Sequence, residues 1–259
     1  MPTKGGALDF DFIRQNSSGV ILATFMHVNN ETGAKLDIER IANRIKEKNP
    51  RCAIHIDAVQ SFMKFPLDVK KLKIESLSFS AHKINGPKGI GGLYLKQGTN
   101  IKPVFVGGGQ ESGLRAGTEN IHYIQGLAKA CEILKPNLIR NLQHYAKLRA
   151  QLLEGLKAFD NVVINSPENG APYTLNFSFV GYRSETLLHF LDSKGICVSS
   201  GSACSKGSAS HTLTVMKLPH ERIDSSVRVS FGVQNTEDDV AALIAALKEA
   251  TEKLQKVKK

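Results

Sequence analysis

Three stretches of this 259-residue sequence bring together side chains able to do chemistry on a small molecule. The first runs Ser80-Ala81-His82-Lys83-Ile84-Asn85-Gly86-Pro87-Lys88-Gly89-Ile90-Gly91-Gly92. It sets a lysine, with a hydroxyl and an imidazole beside it, just after an apolar run and at the mouth of a glycine-rich loop. Ligands of α/β sheets bind at strand ends. Gly86, Gly89 and Gly91 would let the backbone come close to one. No Gly-Lys-Ser/Thr follows at the spacing of a P-loop. Taken alone, the stretch reads equally well as a surface turn.

The second stretch ends an apolar run with Asp57 and places Gln60 three residues on. A carboxylate at a buried strand end needs a cation or a strong donor. A protonated pyridine nitrogen is such a donor, and pyridoxal phosphate (PLP) needs a lysine for its aldehyde and an acid for its ring nitrogen. A helix N-cap is the plainer role for Asp57. Its pairing with Lys83, each at the end of a predicted neighbouring strand, is what discriminates. The third stretch is Ser199-Ser200-Gly201-Ser202-Ala203-Cys204-Ser205. A thiol among serines and glycine suits a nucleophile. Cys52, Cys131 and Cys197 lie in apolar surroundings that suit structural thiols. Arg228 alternates with Val227 and Val229, so it faces away from them. It is either a solvated edge arginine or a fork for a carboxylate.

These groups need a frame of strands and helices. Short apolar runs at 20–25, 52–56, 76–80 and 90–95 read as strands, and 37–48 reads as a helix with Ile38, Ile41, Ala42 and Ile45 on one face. Strands separated by helices predict a mainly parallel sheet. After residue 120 the pattern changes. Ile121, Ile124, Leu127, Ala128 and Cys131 form one helical stripe, and Pro136 breaks it. Leu138, Leu142, Tyr145, Leu148, Leu152 and Leu156 form a second. Strands are predicted at 173–179, 196–199 and 227–231, and a helix at 184–193. Thr236 with Asp239 three residues on reads as a helix start. The predicted architecture is α/β, with 1–136 a partial large domain and 137–259 a small α+β domain carrying Cys204.

Composition narrows the class. The chain is 41% hydrophobic and 22% charged, as ordinary globular proteins are. Its net charge of +10 is spread along helical segments and gathers only in the tail, with no tryptophan and no interleaved aromatics. That argues for solvated faces rather than a nucleic-acid module. No apolar run approaches the roughly 18 residues of a membrane span. Residues 1–10 lack the basic flank and apolar core of a leader. Four scattered cysteines without a C-x-x-C pair point away from zinc and toward a reducing, cytoplasmic setting.

Taken in order, MHVNNETG, HIDAVQS, SFSAHKINGPKGIGG, GGGQESGLRAGTEN, SSGSACS and VRVSFG resemble the cysteine desulfurases of the NifS/IscS type, class V aminotransferases. The resemblance spans about residues 20–232. It implies a fold type I PLP enzyme acting as a homodimer, which converts L-cysteine to L-alanine and hands sulfur on as a persulfide to an acceptor such as an iron–sulfur scaffold. It implies that Lys83 holds PLP covalently, Asp57 pairs with the ring nitrogen and Gln60 bonds the ring hydroxyl. Ser80 and His82 would bind the phosphate, and Thr118 the phosphate of the partner subunit. Asn30 and Arg228 would hold the substrate carboxylate. Cys204, Lys83 and His82 would be the catalytic residues, with no metal. The family's threonine-bearing phosphate turn and ring-stacking histidine, which precede NNETG, do not appear. Two alternatives follow: a lyase for selenocysteine or cysteine sulfinate, or a chain that needs a complementing polypeptide.

Overall fold

The computed structural model describes residues 3–4, 7–200 and 210–256. The elements in chain order begin with β1 (Thr3–Lys4), β2 (Ala7–Leu8), α1 (Phe10–Asn16), β3 (Leu22–Met26), α2 (Ile38–Lys48) and β4 (Ala53–Asp57). Next come β5 (Ser76–Ser80), β6 (Gly91–Leu95), α3 (Ile121–Leu134), α4 (Leu138–Leu156), β7 (Val162–Ile164) and β8 (Thr174–Phe179). The chain continues through α5 (Ser184–Asp192), α6 (His211–Val215), α7 (His220–Asp224), β9 (Ser226–Ser230) and α8 (Glu237–Lys253). They form two compact units. One comprises residues 10–27 and 37–138, the other 1–9, 28–36 and 139–259.

The first unit is built on the four-stranded sheet β3-β4-β5-β6, with β3, β4 and β5 parallel and β6 antiparallel. The predicted strands at 20–25, 52–56, 76–80 and 90–95 all form, within a few residues. Helix α2 buries Ile38, Ile41, Ala42 and Ile45, the face its periodicity marked. Asp37 caps it by accepting the Arg40 N–H at 3.0 Å. Inside this unit Lys46 Nζ meets Glu75 Oε1 at 2.7 Å, and Glu75 Oε2 accepts the Ile54 N–H at 2.7 Å. That carboxylate thus ties α2 to the centre of the sheet.

The second unit holds the antiparallel sheet β7-β8-β9. Leu175, Phe177 and Phe179 of β8 face a core with Leu148, Leu152 and Leu156 of α4 and Leu243 and Leu247 of α8. Thr236 and Asp239 close a capping box at the start of α8. The predicted strand at 196–199 does not form. Among the described residues it supplies a single bridge, Ser199 to Arg228, because one pair of backbone bonds joins it to β9. Cys197, expected among buried structural thiols, is exposed.

Candidate active site

Asp57 is the last residue of β4 and Ser80 the last of β5. The two strands are parallel neighbours, with Asp57 opposite Ser78, so both chains emerge at the same edge of the sheet. There the sequence turns twice. Asp57 Oδ1 accepts the Val59 N–H at 2.9 Å and starts the turn that carries Gln60. Among the described residues no hydrogen bond or ion pair occupies Oδ2, which is open to a donor from a ligand. After β5 a single 3-10 turn, Ala81–Ile84, holds His82 and Lys83 and ends at Asn85 in the left-handed region, φ 61°. Ser80 Oγ and His82 Nδ1 lie 2.7 Å apart, and the His82 and Lys83 side chains are exposed.

Two glycines at the end of this loop pack against the chain itself, while a Cβ on Gly89 would meet nothing nearer than 3.9 Å. A Cβ on Gly92 would lie 2.3 Å from the Phe79 ring, and one on Gly91 would lie 2.4 Å from the Phe79 carbonyl oxygen. Phe79 in turn stacks on Phe62, with ring centroids 3.8 Å apart. The close approach at Gly91 is therefore to the chain's own β5, where it locks the turn after Asp57 against the strand leading to Lys83.

Two lysines sense each other at this edge. Lys64, half-buried in the turn after β4, is pushed down to about 8 by burial, and the charge of Lys83 adds to the effect. No ion pair or hydrogen bond among the described residues holds Lys83 Nζ. Two amines within electrostatic reach, an unshared carboxylate oxygen and a hydroxyl–imidazole pair fit an anionic ligand with an aldehyde and a basic ring nitrogen. Pyridoxal phosphate has that donor and acceptor set. Thr118 is exposed shortly before α3 and shares no hydrogen bond with this cluster among the described residues.

The second unit assembles the other expected pair. Arg228 Nη1 donates to the Asn30 carbonyl oxygen at 2.9 Å, so Asn30 and Arg228 meet through backbone rather than through the asparagine side chain. Arg228 is half-buried, not a solvated edge residue. Burial pushes its guanidinium below the usual range, and the Glu31 carboxylate opposes that shift. Cys204 lies outside the described residues. Burial pushes the thiols of Cys52 and Cys131 up, as suits unreactive cysteines. Among the described residues no cluster of three or more metal-ligating side chains forms. Sequence reasoning passed over Lys64 and Glu31. Lys64 carried no motif of its own, and Glu31 was visible only as one letter of NNETG.

The family model for aminotransferase class-V matches residues 2–243. The cysteine desulfurase IscS of Clostridium botulinum (strain Hall) is 43% identical over 233 residues, which cover 88% of this chain and 58% of that protein. A cysteine desulfurase of Trichormus azollae is 39% identical over 255 residues, or 96% of this chain and 63% of that protein. The chain thus spans about three-fifths of the length of these curated relatives. A solved structure of a NifS-like protein matches at TM-score 0.91 with 34% identity, covering 98% of this chain and 67% of that one. The expected fold, type I with a mainly parallel sheet, is the one it shares with that structure. With the family pattern running through nearly all of its sequence, this chain belongs to the class-V aminotransferases.

Proposed function

We propose that this chain carries cofactor-, substrate- and sulfur-handling residues of a PLP-dependent cysteine desulfurase, which turns L-cysteine and an enzyme thiol into L-alanine and an enzyme persulfide. The observation that carries the reading is the pairing at the ends of β4 and β5. An unshared Asp57 oxygen and the uncompensated amine of Lys83 emerge from adjacent parallel strands. The names of the relatives, cysteine desulfurases in two genera, support the substrate.

Lys83 holds the cofactor, Asp57 keeps a proton on its ring nitrogen and Gln60 bonds its ring hydroxyl. Ser80, His82 and Thr118 bind phosphate, Thr118 that of the partner subunit. When bound, PLP supplies an electron sink that acidifies the substrate Cα–H and makes the sulfur open to attack. Lys83 Nζ takes and returns the Cα proton. Arg228 and Asn30 orient the substrate through its carboxylate. The Cys204 thiolate attacks the substrate sulfur and forms the S–S bond as the C–S bond breaks, the carbon side keeps that electron pair, and Cβ takes up a proton to become the methyl group of alanine. The persulfide then passes to an acceptor, for which an iron–sulfur scaffold is our choice. We assign residues 1–136 to the cofactor-binding domain and 137–259 to the small domain, with 1–9 and 28–36 clustering with the latter. Homodimerisation is supported by the exposed run Val104-Phe105-Val106, which lies shortly before the Thr118 loop. A cytoplasmic setting is supported by three free thiols among the described residues.

The test is an absorbance spectrum after PLP addition and desalting. A retained band near 400 nm, roughly where lysine-bound PLP absorbs, is expected, and Lys83→Ala should abolish it. A band that survives Lys83→Ala overturns the assignment. No band in the wild-type chain means the cofactor needs residues outside this sequence.

A further inference from the structure

Residues 28–36 lie in the sequence between β3 and α2 but cluster with the antiparallel-sheet unit. Their backbone carbonyls are gripped there one after another. Arg228 donates to Asn30 O at 2.9 Å, Ser166 Oγ to Thr32 O at 2.6 Å and the Ala171 N–H to Gly33 O at 2.7 Å. Glu31 sits amid these contacts and is 5% exposed. A carboxylate that buried is unfavourable unless it is bonded and balanced. Glu31 Oε2 accepts the Ser210 hydroxyl at 2.5 Å, and Oε1 accepts the Thr212 hydroxyl at 2.8 Å. Ser210 is also the N-cap of α6, its Oγ accepting the Leu213 N–H at 3.1 Å. The Arg228 charge balances Glu31 without an ion pair between them. The guanidinium is thus stabilised but not consumed, and N–H groups of its fork stay available.

We propose that Glu31 is a positioning residue. Its carboxylate fixes the N-cap of α6, six residues after Cys204, to the same turn whose Asn30 carbonyl holds Arg228. The proposal rests on the reading above that Cys204 and Arg228 serve one reaction. One anchor then sets both the downstream end of the thiol segment and the carboxylate fork. A charge suits this better than an apolar anchor, because it orients two hydroxyls and balances a cation at a distance.

The test needs neither cofactor nor turnover, so its failure is distinct from failure of the desulfurase reading. In the 259-residue chain, Glu31→Ala should speed hydrogen exchange at the Leu213, Thr214 and Met216 amides about tenfold or more, the loss expected for two hydrogen bonds. Amides of β8 should not change. Glu31→Gln still bonds both hydroxyls and should restore α6 protection. Ser210→Ala with Thr212→Ala should reproduce the effect, and adding Glu31→Ala to that pair should change nothing further. If Glu31→Ala does not fold, Glu31→Gln and the hydroxyl pair decide. A folded Glu31→Ala chain with wild-type exchange at the α6 amides overturns the proposal. So does exchange that rises equally at β8, or effects that simply add.

Discussion

Two charged side chains, one in each unit, respond to burial in opposite ways. In the antiparallel-sheet unit, Glu31 has two hydroxyl donors and a nearby arginine. At the end of the parallel sheet, half-buried Lys64 feels the like charge of Lys83. A satisfied group reads as a frame, because removing it leaves others unpaired. Lys64 is a cation that burial disfavours, so its removal acts in the other direction. The difference predicts an opposite sign for the mutation of each residue.

The largest effects should be of opposite direction. Glu31→Ala should cost about 3 kcal/mol, since it removes the acceptor of one buried and one half-buried hydroxyl and the charge that offsets a half-buried guanidinium. Urea denaturation would measure it, and a neutral result would erase the contrast. Lys64→Met should instead raise stability at pH 7, by no more than about 3 kcal/mol. Lys64 titrates near 8 when folded and near 10.5 when unfolded. Between those values the unfolded chain holds more protons, so wild-type stability should climb with pH across that window. Lys64→Met should flatten the climb, and a bound phosphate should do the same. Glu75→Ala tests whether compensation, rather than location, decides. It lies in the parallel-sheet unit but is paired, so its loss should cost about 2 kcal/mol by leaving Lys46 only the Cys52 carbonyl and the Ile54 N–H without its carboxylate. Thr236→Ala removes half of an exposed capping box and should cost about 1 kcal/mol by thermal melt.

Much of the frame was legible because its signals are local. The alternation around Arg228, the face of α2 and the Thr236–Asp239 pair each concern residues within a few positions of one another. What covers an element was not legible. The α4 stripe is buried at Tyr145, Leu148, Leu152 and Leu156, whereas the equally periodic α3 stripe leaves Ile121 63% exposed. Periodicity reports that a helix has an apolar face, not what meets it. The 196–199 run was apolar enough for a strand, yet one bridge is all it makes with β9. The Asp57–Lys83 pairing could be read because both residues end predicted strands. Lys64 and Glu31 could not, because their neighbours are set by packing: Ser210 follows Glu31 by 179 positions.

That separation also sets an order of events during synthesis. At roughly 5–20 residues per second, Glu31 leaves the ribosome about 10 to 40 s before the hydroxyl that will bond it. Until then its carboxylate must stay in water, and residues 28–36 cannot settle into their final place. The β3–β6 sheet can form early, around an insert that waits. The nascent chain therefore carries one hydrated, unburied glutamate as a natural timer, and a translational pause before codon 210 would lengthen that wait.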